Sequence, residues 1–413
     1  MADPIMTFGA VLFGILLLYL LFLAGTYLVA SLRPAPRHDA RHRPRVSVLI
    51  PTYNEETRLG ACIGALLATR YPRLEIIVID DGSTDATVRI AQGFGARVRL
   101  LRQAHEGKPA ALNRGLALAR GAIIVTVDAD TIVEPQFIAN IVQPLRDPAV
   151  AAASGPVLVV NQHSILGAFQ RVEYHYNTLI RQSVRTVFRN GIWFFGCLGA
   201  YRATTLRRVG GFPAHTLTED MDLMLALRAA GYRTLTVADA RGRTFVPTSV
   251  SGLLRQRARW WAGGFQSLRK HRKGLHAAHD PAIAFLRVNQ LWWLFYALVS
   301  LPLIAYQVTY WFPTSGGLDA TLYLVRWFTL WGPFYVLYKI PVWGLNWLNI
   351  AGVLAGIVSA ALIIASIRLA RERPTWRDAL AIAAYFPYTI ILNLSVLVGA
   401  FQAATTSARP YAA

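Results

Sequence analysis

Three carboxylates occupy four consecutive positions within residues 215–232, HTLTEDMDLMLALRAAGY. They belong to Glu219, Asp220 and Asp222, and an apolar pattern with helical spacing follows them. Acidic residues in the first turn of a helix, after an N-cap such as Thr218, favour the helix dipole. A carboxylate can also act as a general base, because it accepts the proton of an attacking hydroxyl within hydrogen-bond reach. This segment alone is compatible with both interpretations.

A second acidic group is VDADT, residues 127–131, which ends a short apolar segment. Asp128 and Asp130 are one residue apart, so their side chains point the same way on an extended chain. Two such charges repel each other unless a cation lies between them. Mg²⁺ and Mn²⁺ prefer paired carboxylate oxygens and complete their coordination with water and substrate phosphates. The spacing therefore predicts a divalent metal site. A third group, Asp80 and Asp81, begins a glycine turn, for which a turn and a ligand site are equally good interpretations.

Basic and aromatic residues flank these acids in the sequence. Lys108 lies at the start of a predicted helix, where a lysine and free N–H groups suit an anion, although a solvated lysine would look the same. Downstream, RQRARWW covers residues 255–261. Gln256, Arg259 and Trp260 share one helical face at i, i+3 and i+4. An amphipathic helix at a membrane surface would have similar basic and Trp residues, and both interpretations can hold together.

Alternating apolar strands and helices are predicted to position these groups. Strands are predicted at 45–50, 74–80, 97–101 and 122–128, with helices near 56–69, 85–93 and 109–120. This alternation indicates a parallel sheet covered by helices, a Rossmann-like α/β layer. Ligands of open parallel sheets bind beyond the carboxyl ends of the strands, where the two aspartate pairs fall.

The composition indicates a membrane protein with basic flanks. The chain of 413 residues is 54% hydrophobic and 15% charged, with a net charge of +20. Residues 5–31 contain no charge, which is longer than the roughly 20 residues that cross a bilayer, and no basic residue precedes them. A retained transmembrane helix is therefore expected rather than a cleaved signal peptide. The arginines between Arg33 and Arg45 place the amino terminus outside and the next segment in the cytoplasm.

The last third of the chain contains further apolar segments. Spans are predicted at 285–307, 350–367 and 380–401, whereas 322–347 is interrupted by Arg326, Lys339 and Gly/Pro breaks. We expect that interrupted segment to be re-entrant or interfacial, because a further crossing would put the basic loop 368–377 outside. The predicted organisation is a transmembrane helix at 1–32, a catalytic domain at 33–250, an interfacial helical region at 251–283 and a membrane region at 284–413.

The ordered motifs resemble a known enzyme family. PTYNE, DDGSTD, GK…ALN, DAD, TED and QRARW occur in the order found in processive family 2 glycosyltransferases, over residues 44–275. That family includes cellulose, chitin and hyaluronan synthases, and LTEDMDL with QRARWWAGG is most similar to bacterial poly-N-acetylglucosamine synthases. The resemblance implies a cytoplasmic GT-A domain between transmembrane helices. It also implies inverting, processive polymerisation of a UDP-sugar, with UDP-N-acetylglucosamine as the best candidate, and export across the plasma (inner) membrane.

The resemblance also implies a role for each motif residue. Asp220 would be the general base, Asp130 would bind Mg²⁺ or Mn²⁺, and Gln256, Arg259 and Trp260 would hold the diphosphate and the acceptor sugar. Glu219, Tyr201 and Arg202 are further acceptor-site candidates. The residues expected to bind the donor nucleotide are Thr52, Tyr53, Glu55, Asp80, Asp81, Lys108 and Asp128.

Other functions remain possible at this point. A lipid-directed transferase that adds a single sugar would have a similar soluble domain, although the Q-x-x-R-W helix argues against it. A non-catalytic export or nucleotide-sensing subunit is a third possibility. Expected partners are the UDP-sugar, the growing polysaccharide, the bilayer and either an accessory subunit or a second copy. No nucleic acid is expected, because the basic clusters flank membrane segments.

Overall fold

The computed structural model describes residues 4–32, 39, 41–191, 196–277, 280–310, 312–313, 316–329 and 331–405. Within these residues the strands are β1 (Val46–Thr52), β2 (Leu74–Asp80), β3 (Arg99–Arg102), β4 (Ile123–Val127), β5 (Thr131–Val133), β6 (Val150–Ser154), β7 (Val157–Val159), β8 (Leu198–Arg202), β9 (Arg233–Thr236) and β10 (Gly242–Thr244). The four strands predicted from the sequence correspond to β1–β4, with ends that differ by at most two residues.

The strands form two sheets. A seven-stranded sheet has the order β3-β2-β1-β4-β8-β6-β9, and a small sheet has the order β5-β10-β7. β1 is parallel to both β2 and β4, and Thr52 pairs with Asp80 at the end of β2. The carboxyl ends of these strands therefore meet at one edge of the sheet. The predicted α/β architecture is confirmed, with β8 as an antiparallel strand between β4 and β6.

The helices up to residue 277 are α1 (Pro4–Ser31), α2 (Leu59–Ala68), α3 (Thr87–Gln92), α4 (Lys108–Leu118), α5 (Phe137–Ile141), α6 (Ile165–Phe188), α7 (Ala203–Arg208), α8 (Glu219–Ala229), α9 (Val250–Lys270) and α10 (Arg272–Ala277). The three helices predicted between the strands are α2, α3 and α4. The long helix α6 was not predicted. Its hydroxyl cap is at Ser164, whose side chain accepts from the Gly167 N–H at 2.9 Å.

The remaining helices are α11 (Pro281–Tyr310), α12 (Gly317–Phe328), α13 (Trp331–Trp343), α14 (Trp347–Leu369), α15 (Trp376–Ala383) and α16 (Tyr385–Thr405). In the described part of the chain, four helices are long and apolar enough to cross a membrane, namely 7–31, 281–310, 349–369 and 385–405. The predicted span at 380–401 began too early, because a capping box formed by Thr375 and Asp378 starts the separate helix α15. With 12 and 13 residues, α12 and α13 are each about 20 Å long, shorter than a bilayer core.

One face of the large sheet is continuous with the membrane helices. A cluster of fully buried side chains includes Leu23 of α1, Leu49 of β1, Leu223 of α8 and Leu362 of α14. The opposite face packs on α2 and α5 in a second cluster, which includes Ile63 and Ile138. Burial of apolar surface therefore fixes the sheet and its polar edge directly against the helices of the membrane region.

Candidate active site

A cleft of about 260 Å³ lies at the carboxyl edge of the sheet. It brings together most of the residues predicted to bind a nucleotide or a metal. Its lining comprises Pro51, Thr52, Tyr53, Glu55, Asp81, His105, Gly107, Lys108, Asp128, Ala129 and Asp130. The exposed ring of Tyr53 stacks on that of His105, with the ring centroids 4.3 Å apart, and gives the cleft one flat aromatic wall.

Asp81 shapes the loop that enters α4. Its Oδ1 accepts hydrogen bonds from the Glu106 N–H at 3.0 Å and from the Gln103 side chain at 2.7 Å, and its Oδ2 accepts from the Gly107 N–H at 2.9 Å. Gly107 has φ 89°, a conformation that favours glycine. These bonds fix the turn that places Lys108 at the first position of the helix.

Asp80 behaves differently from its neighbour. Its side chain is 1% exposed, and its Oδ1 accepts from the Ser83 N–H at 3.2 Å. Asp80 therefore stabilises the turn after β2 from beneath the cleft and does not line it. The sequence could not separate these two adjacent aspartates, because both lie at the same strand end.

Lys108 connects two motifs that are more than 90 residues apart. Its Nζ lies 2.8 Å from Asp128 Oδ1 and 2.9 Å from Glu219 Oε1. Burial alone would lower the pKa of Lys108, but the two carboxylates raise it well above its usual value, so the ammonium stays charged. The same ion pair outweighs burial at Glu219 and lowers the pKa of that carboxyl. The acids at the end of β4 and those at the start of α8 therefore face one cleft.

Asp130 is the second, half-buried member of the aspartate pair. Its Oδ1 accepts hydrogen bonds from the Thr131 and Thr244 hydroxyls, both at 3.2 Å. Burial and the nearby charge of Asp128 raise the pKa of Asp130, which is the repulsion that a cation would relieve. The described residues contain no cluster of three or more metal-ligating side chains. This donor set nevertheless fits Mg²⁺ or Mn²⁺, since such ions are commonly bound by one or two carboxylates together with substrate phosphates.

Asp220 lies in the first turn of α8, beside these groups. Its Oδ2 accepts from the Gly196 N–H at 2.8 Å, while the Gly196 carbonyl accepts from the Thr126 hydroxyl of β4 at 2.7 Å. Burial and the adjacent Glu219 raise the pKa of Asp220 to about 6. Asp220 is therefore a carboxyl that can bind and release a proton near neutral pH.

The expected hydroxyl cap of this helix is absent. Thr218 occupies the N-cap position, but its side chain makes no capping hydrogen bond. The reason is the close approach of α9, because a Cβ on Gly263 would lie 2.3 Å from the Thr218 hydroxyl. The hydroxyl is thus packed against another helix instead of against its own first turn. The capping interpretation of Thr218 was wrong, while the helix start at Glu219 was correct.

The motif helix α9 docks on the segment that precedes Asp220. Arg259 donates to the Leu217 carbonyl at 3.2 Å, and the Leu217 N–H donates to Gln266 at 3.0 Å. Trp260 lies one turn from Gln256 along α9, as the spacing predicted. The predicted face of Gln256, Arg259 and Trp260 therefore lies on a helix that contacts the acidic segment directly.

Two acceptor-site candidates, Tyr201 and Arg202, do not line the cleft. Tyr201 is 2% exposed and packs edge-on against Phe212, and Arg202 donates to the carbonyls of Leu145 and Asp147. In the antiparallel register these residues pair with Ile124 and Ile123, at the amino end of β4. Their backbones are thus near the sheet edge opposite Asp128. Arg202 is removed from the proposed site, because its guanidinium bonds to carbonyls at that edge. Tyr201 stays a candidate beneath the cleft, because its pKa is raised by burial and by the charges of Asp220 and Glu219, which lie near its ring.

Asp222 and Arg257 acquire clear structural roles that the sequence did not assign. Asp222 is fully buried and binds the Lys270 ammonium at 2.8 Å and the His271 ring at 2.5 Å, which joins α8 to the end of α9. Arg257 pairs with Glu173 of α6 at 2.8 Å. Helical spacing within α9 could indicate that Arg257 lies on the opposite face from Arg259. It could not identify Glu173 as the partner of Arg257, because the helix α6 was not predicted.

The comparisons with known proteins agree with this geometry. The model of the glycosyltransferase-like family 2 matches residues 44–263, more than half of the chain. This chain belongs to that family. The glycosyltransferase is 28% identical over 272 residues to the poly-beta-1,6-N-acetyl-D-glucosamine synthase of Staphylococcus aureus (strain COL), a match that covers 62% of this chain and 66% of that protein. It is 29% identical to the synthase of the same name from Staphylococcus epidermidis, over 54% of this chain and 55% of that protein.

A solved structure shows the same fold. The glycosyltransferase is similar to the mannosyltransferase PcManGT from Pyrobaculum calidifontis, determined in complex with GDP-Man and Mn²⁺. The TM-score is 0.62 at 22% identity, and the alignment covers 98% of this chain and 99% of that one. The predicted GT-A fold is therefore confirmed. The matches to the curated synthases span just under two-thirds of the S. aureus protein and about half of the S. epidermidis one.

Proposed function

We propose that this glycosyltransferase polymerises a UDP-sugar, with UDP-N-acetylglucosamine as the best candidate, into a β-linked polysaccharide at the plasma membrane. The observation that supports this most directly is the double ion pair of Lys108 with Asp128 and Glu219. It brings the donor end of the cleft beside Asp220. A donor and an acceptor hydroxyl could therefore meet within one site.

The cleft has the features that a nucleoside diphosphate requires. The flat wall of Tyr53 and His105 suits stacking of a base, and Thr52, Glu55 and Asp81 lie along the same lining. Lys108 supplies a permanent positive charge for the diphosphate, and Asp128 would contact the nucleotide beside it. Asp130 would hold Mg²⁺ or Mn²⁺ against the diphosphate. When bound, this ion neutralises charge that develops on the departing UDP.

Asp220 is proposed as the general base. A sugar hydroxyl is a weak nucleophile, and a carboxylate with a pKa of about 6 is mostly ionised at neutral pH. Asp220 would accept the hydroxyl proton as the oxygen attacks the anomeric carbon and UDP leaves. Direct displacement with one base inverts this centre, so an α-linked donor gives a β-linked product.

The helix α9 is proposed to hold the acceptor. Gln256 and Arg259 would contact the diphosphate, Glu219 would help to orient the acceptor end, and Trp260 would stack beneath the terminal sugar. An indole surface covers the apolar C–H face of a sugar while its hydroxyls stay accessible, which suits a chain that advances after each addition. Similarity to the staphylococcal synthases supports a processive reaction.

The contacts of loop 370–375 support a four-span arrangement. Glu372 follows α14 and pairs with Arg171 of α6 at 2.9 Å and with Arg243 of β10 at 2.7 Å. The end of α14 and the start of α11 would then both lie on the side of the catalytic domain, so α12 and α13 together add no net crossing. With positive-inside placement, that side is the cytoplasm and the amino terminus is outside. Reporter fusions at the amino terminus and after residue 313 test this arrangement.

The decisive experiment uses the purified protein in nanodiscs with Mg²⁺ or Mn²⁺ and a panel of UDP-sugars. UDP release together with products of many sugar units from UDP-N-acetylglucosamine is expected. Addition of a single sugar to a lipid would instead identify a lipid-directed transferase. GDP-mannose belongs in the panel because of the similarity to PcManGT, and preferential use of it would overturn the UDP-sugar proposal. Size analysis of the purified protein tests for an accessory subunit or a second copy.

A further inference from the structure

Arg257 is a buried arginine inside the motif helix α9. It is 3% exposed, and its Nε and Nη2 donate to the two oxygens of Glu173 on α6 at 2.9 and 2.8 Å. This is a bidentate pair, in which both the distance and the plane of the guanidinium are fixed. A buried ion pair seldom increases stability over apolar side chains of the same volume. A role other than stability therefore has to be considered for Arg257.

The same guanidinium contacts two residues of the proposed site on α9, Gln256 for the diphosphate and Trp260 for the acceptor. It donates to Oε1 of Gln256, and its centre lies 4.3 Å from the ring centroid of Trp260. A guanidinium stacked on an indole restrains the ring through its planar surface as well as its charge. Arg257 thus holds the Gln256 amide on one side and the Trp260 ring on the other.

A membrane helix sets the position of Glu173 in turn. The hydroxyl of Tyr388, on α16, donates to Oε2 of Glu173, and the Tyr388 ring stacks on Phe169 of α6 with the centroids 5.2 Å apart. The helix α16 also packs against α9 without intervening space, because a Cβ on Gly399 would lie 2.6 Å from the Ala258 carbonyl. Tyr388, Glu173 and Arg257 therefore form a continuous polar connection from α16 to the face of α9.

We propose that Arg257 is a positioning residue for the acceptor, and that Glu173 and Tyr388 set its orientation from the membrane side. The helix α16 then determines how the sugar that stacks on Trp260 is held for the next transfer. This inference rests on the proposed function, since it concerns the acceptor of that reaction. It adds residues from α6 and α16 that do not contact the substrate themselves.

Tyr388→Phe is the most informative variant, because it removes one hydroxyl and keeps the ring that stacks on Phe169. With UDP-N-acetylglucosamine and a short β-linked N-acetylglucosamine oligosaccharide as acceptor, the acceptor KM should rise by about threefold to tenfold. This rise corresponds to less than the full free energy of a hydrogen bond to a charged group, because Tyr388 acts on the acceptor only through Glu173 and Arg257. The product should become shorter, while the dissociation constant for UDP changes less than the acceptor KM, because the variant leaves the lining of the donor cleft unchanged. Thr389→Val is the matched control, because it removes a hydroxyl of α16 that bonds to the Phe386 carbonyl of the same helix, and it should leave both constants unchanged.

A double-variant comparison separates positioning from stability. If Tyr388 acts through Glu173, then Glu173→Gln with Tyr388→Phe should be no worse in acceptor KM than Glu173→Gln alone. Arg257→Lys should also raise the acceptor KM, because lysine keeps the charge but loses the fork and the flat surface. A fall in kcat that follows the folded fraction, with an unchanged acceptor KM, would overturn the positioning role. A wild type that extends no oligosaccharide would instead overturn the proposed function, and this inference with it.

Discussion

The backbone N–H of Gly196 donates to the Asp220 carboxylate at 2.8 Å, and a Cβ on Gly196 would lie 2.8 Å from the Cβ of Asp220. The proposed base is therefore held by a main-chain N–H, and a residue with a side chain at position 196 could not approach Asp220 this closely. Because the Gly196 carbonyl is bonded to Thr126 of β4, the orientation of Asp220 depends on the strand that directly precedes Asp128.

Gly196→Ala should impair catalysis more than folding. The added methyl displaces the Asp220 side chain, and a misplaced base loses a large part of its effect, so we expect turnover to fall by about 10-fold to 100-fold. Initial rates of UDP release measure this. Gly64→Ala on α2 is the matched control, because no atom lies within 4 Å of its added Cβ, and it should keep full activity.

Asp220→Asn should abolish polymer synthesis while the protein still binds UDP. An amide cannot accept the proton of the acceptor hydroxyl, and loss of general-base catalysis lowers rates by roughly 10²–10⁴. Radiolabelled product and UDP binding are measured on the same preparation. Turnover at the wild-type rate would remove Asp220 from the role of base.

The rate should depend on pH through Asp220. Because its pKa is raised to about 6, the base is protonated and inactive below this value, and kcat/KM should increase as the pH rises through about 6. Glu219→Gln removes a neighbouring negative charge and so lowers the pKa of Asp220. The acidic limb of the pH–rate profile should therefore move to lower pH in this variant. A limb that stays in place, or moves upward, would contradict the assignment of the limb to Asp220.

The positions of the motifs were more predictable than their partners. Periodicity located β1, β2 and β4, and the carboxyl-edge rule then placed Asp81 and Asp128 near one another, which the cleft confirms. The hydroxyl of Thr218 was misjudged, because the contact that displaces it comes from Gly263, 45 residues away. Likewise, Arg202 has the residue type of a ligand-binding side chain, but the antiparallel register that moves it to the far edge depends on tertiary pairing.

Removal of divalent metal should stop the reaction, and Mg²⁺ or Mn²⁺ should restore it. Asp130→Asn should raise the metal concentration needed for half-maximal activity by more than about tenfold, since a carboxylate ligand is replaced by a neutral amide. Rates measured across a metal titration provide the test. Synthesis that persists in excess EDTA would contradict the role given to Asp130.

Asp222→Asn should destabilise the junction of α8 and α9. Burial would raise the pKa of Asp222, but His271 and Lys270 lower it overall. The ion pairs of Asp222 therefore stabilise the fold fully above the ordinary aspartate pKa of about 4. This stabilisation is lost as the pH falls below that value towards the lowered pKa of the folded state. At neutral pH the loss should be about 2 kcal/mol, less than for a fully buried pair because Lys270 is partly exposed.

Thermal unfolding in detergent, recorded at several pH values, measures the contribution of Asp222. The difference between the wild type and Asp222→Asn should shrink as the solution is acidified towards the folded pKa. A difference that grows in acid would contradict the ion-pair explanation.

The pairing of Glu372 with Arg171 and Arg243 also has a mechanical consequence. Arg243 precedes Thr244, whose hydroxyl bonds to Asp130, so α14 is coupled through two adjacent residues to the proposed metal ligand. A thinner or thicker bilayer changes the tilt of a transmembrane helix such as α14. Such a change would therefore displace Thr244 and, with it, the Asp130 side chain of the cleft. The lipid in which the enzyme is reconstituted should thus affect its rate of reaction as well as its solubility.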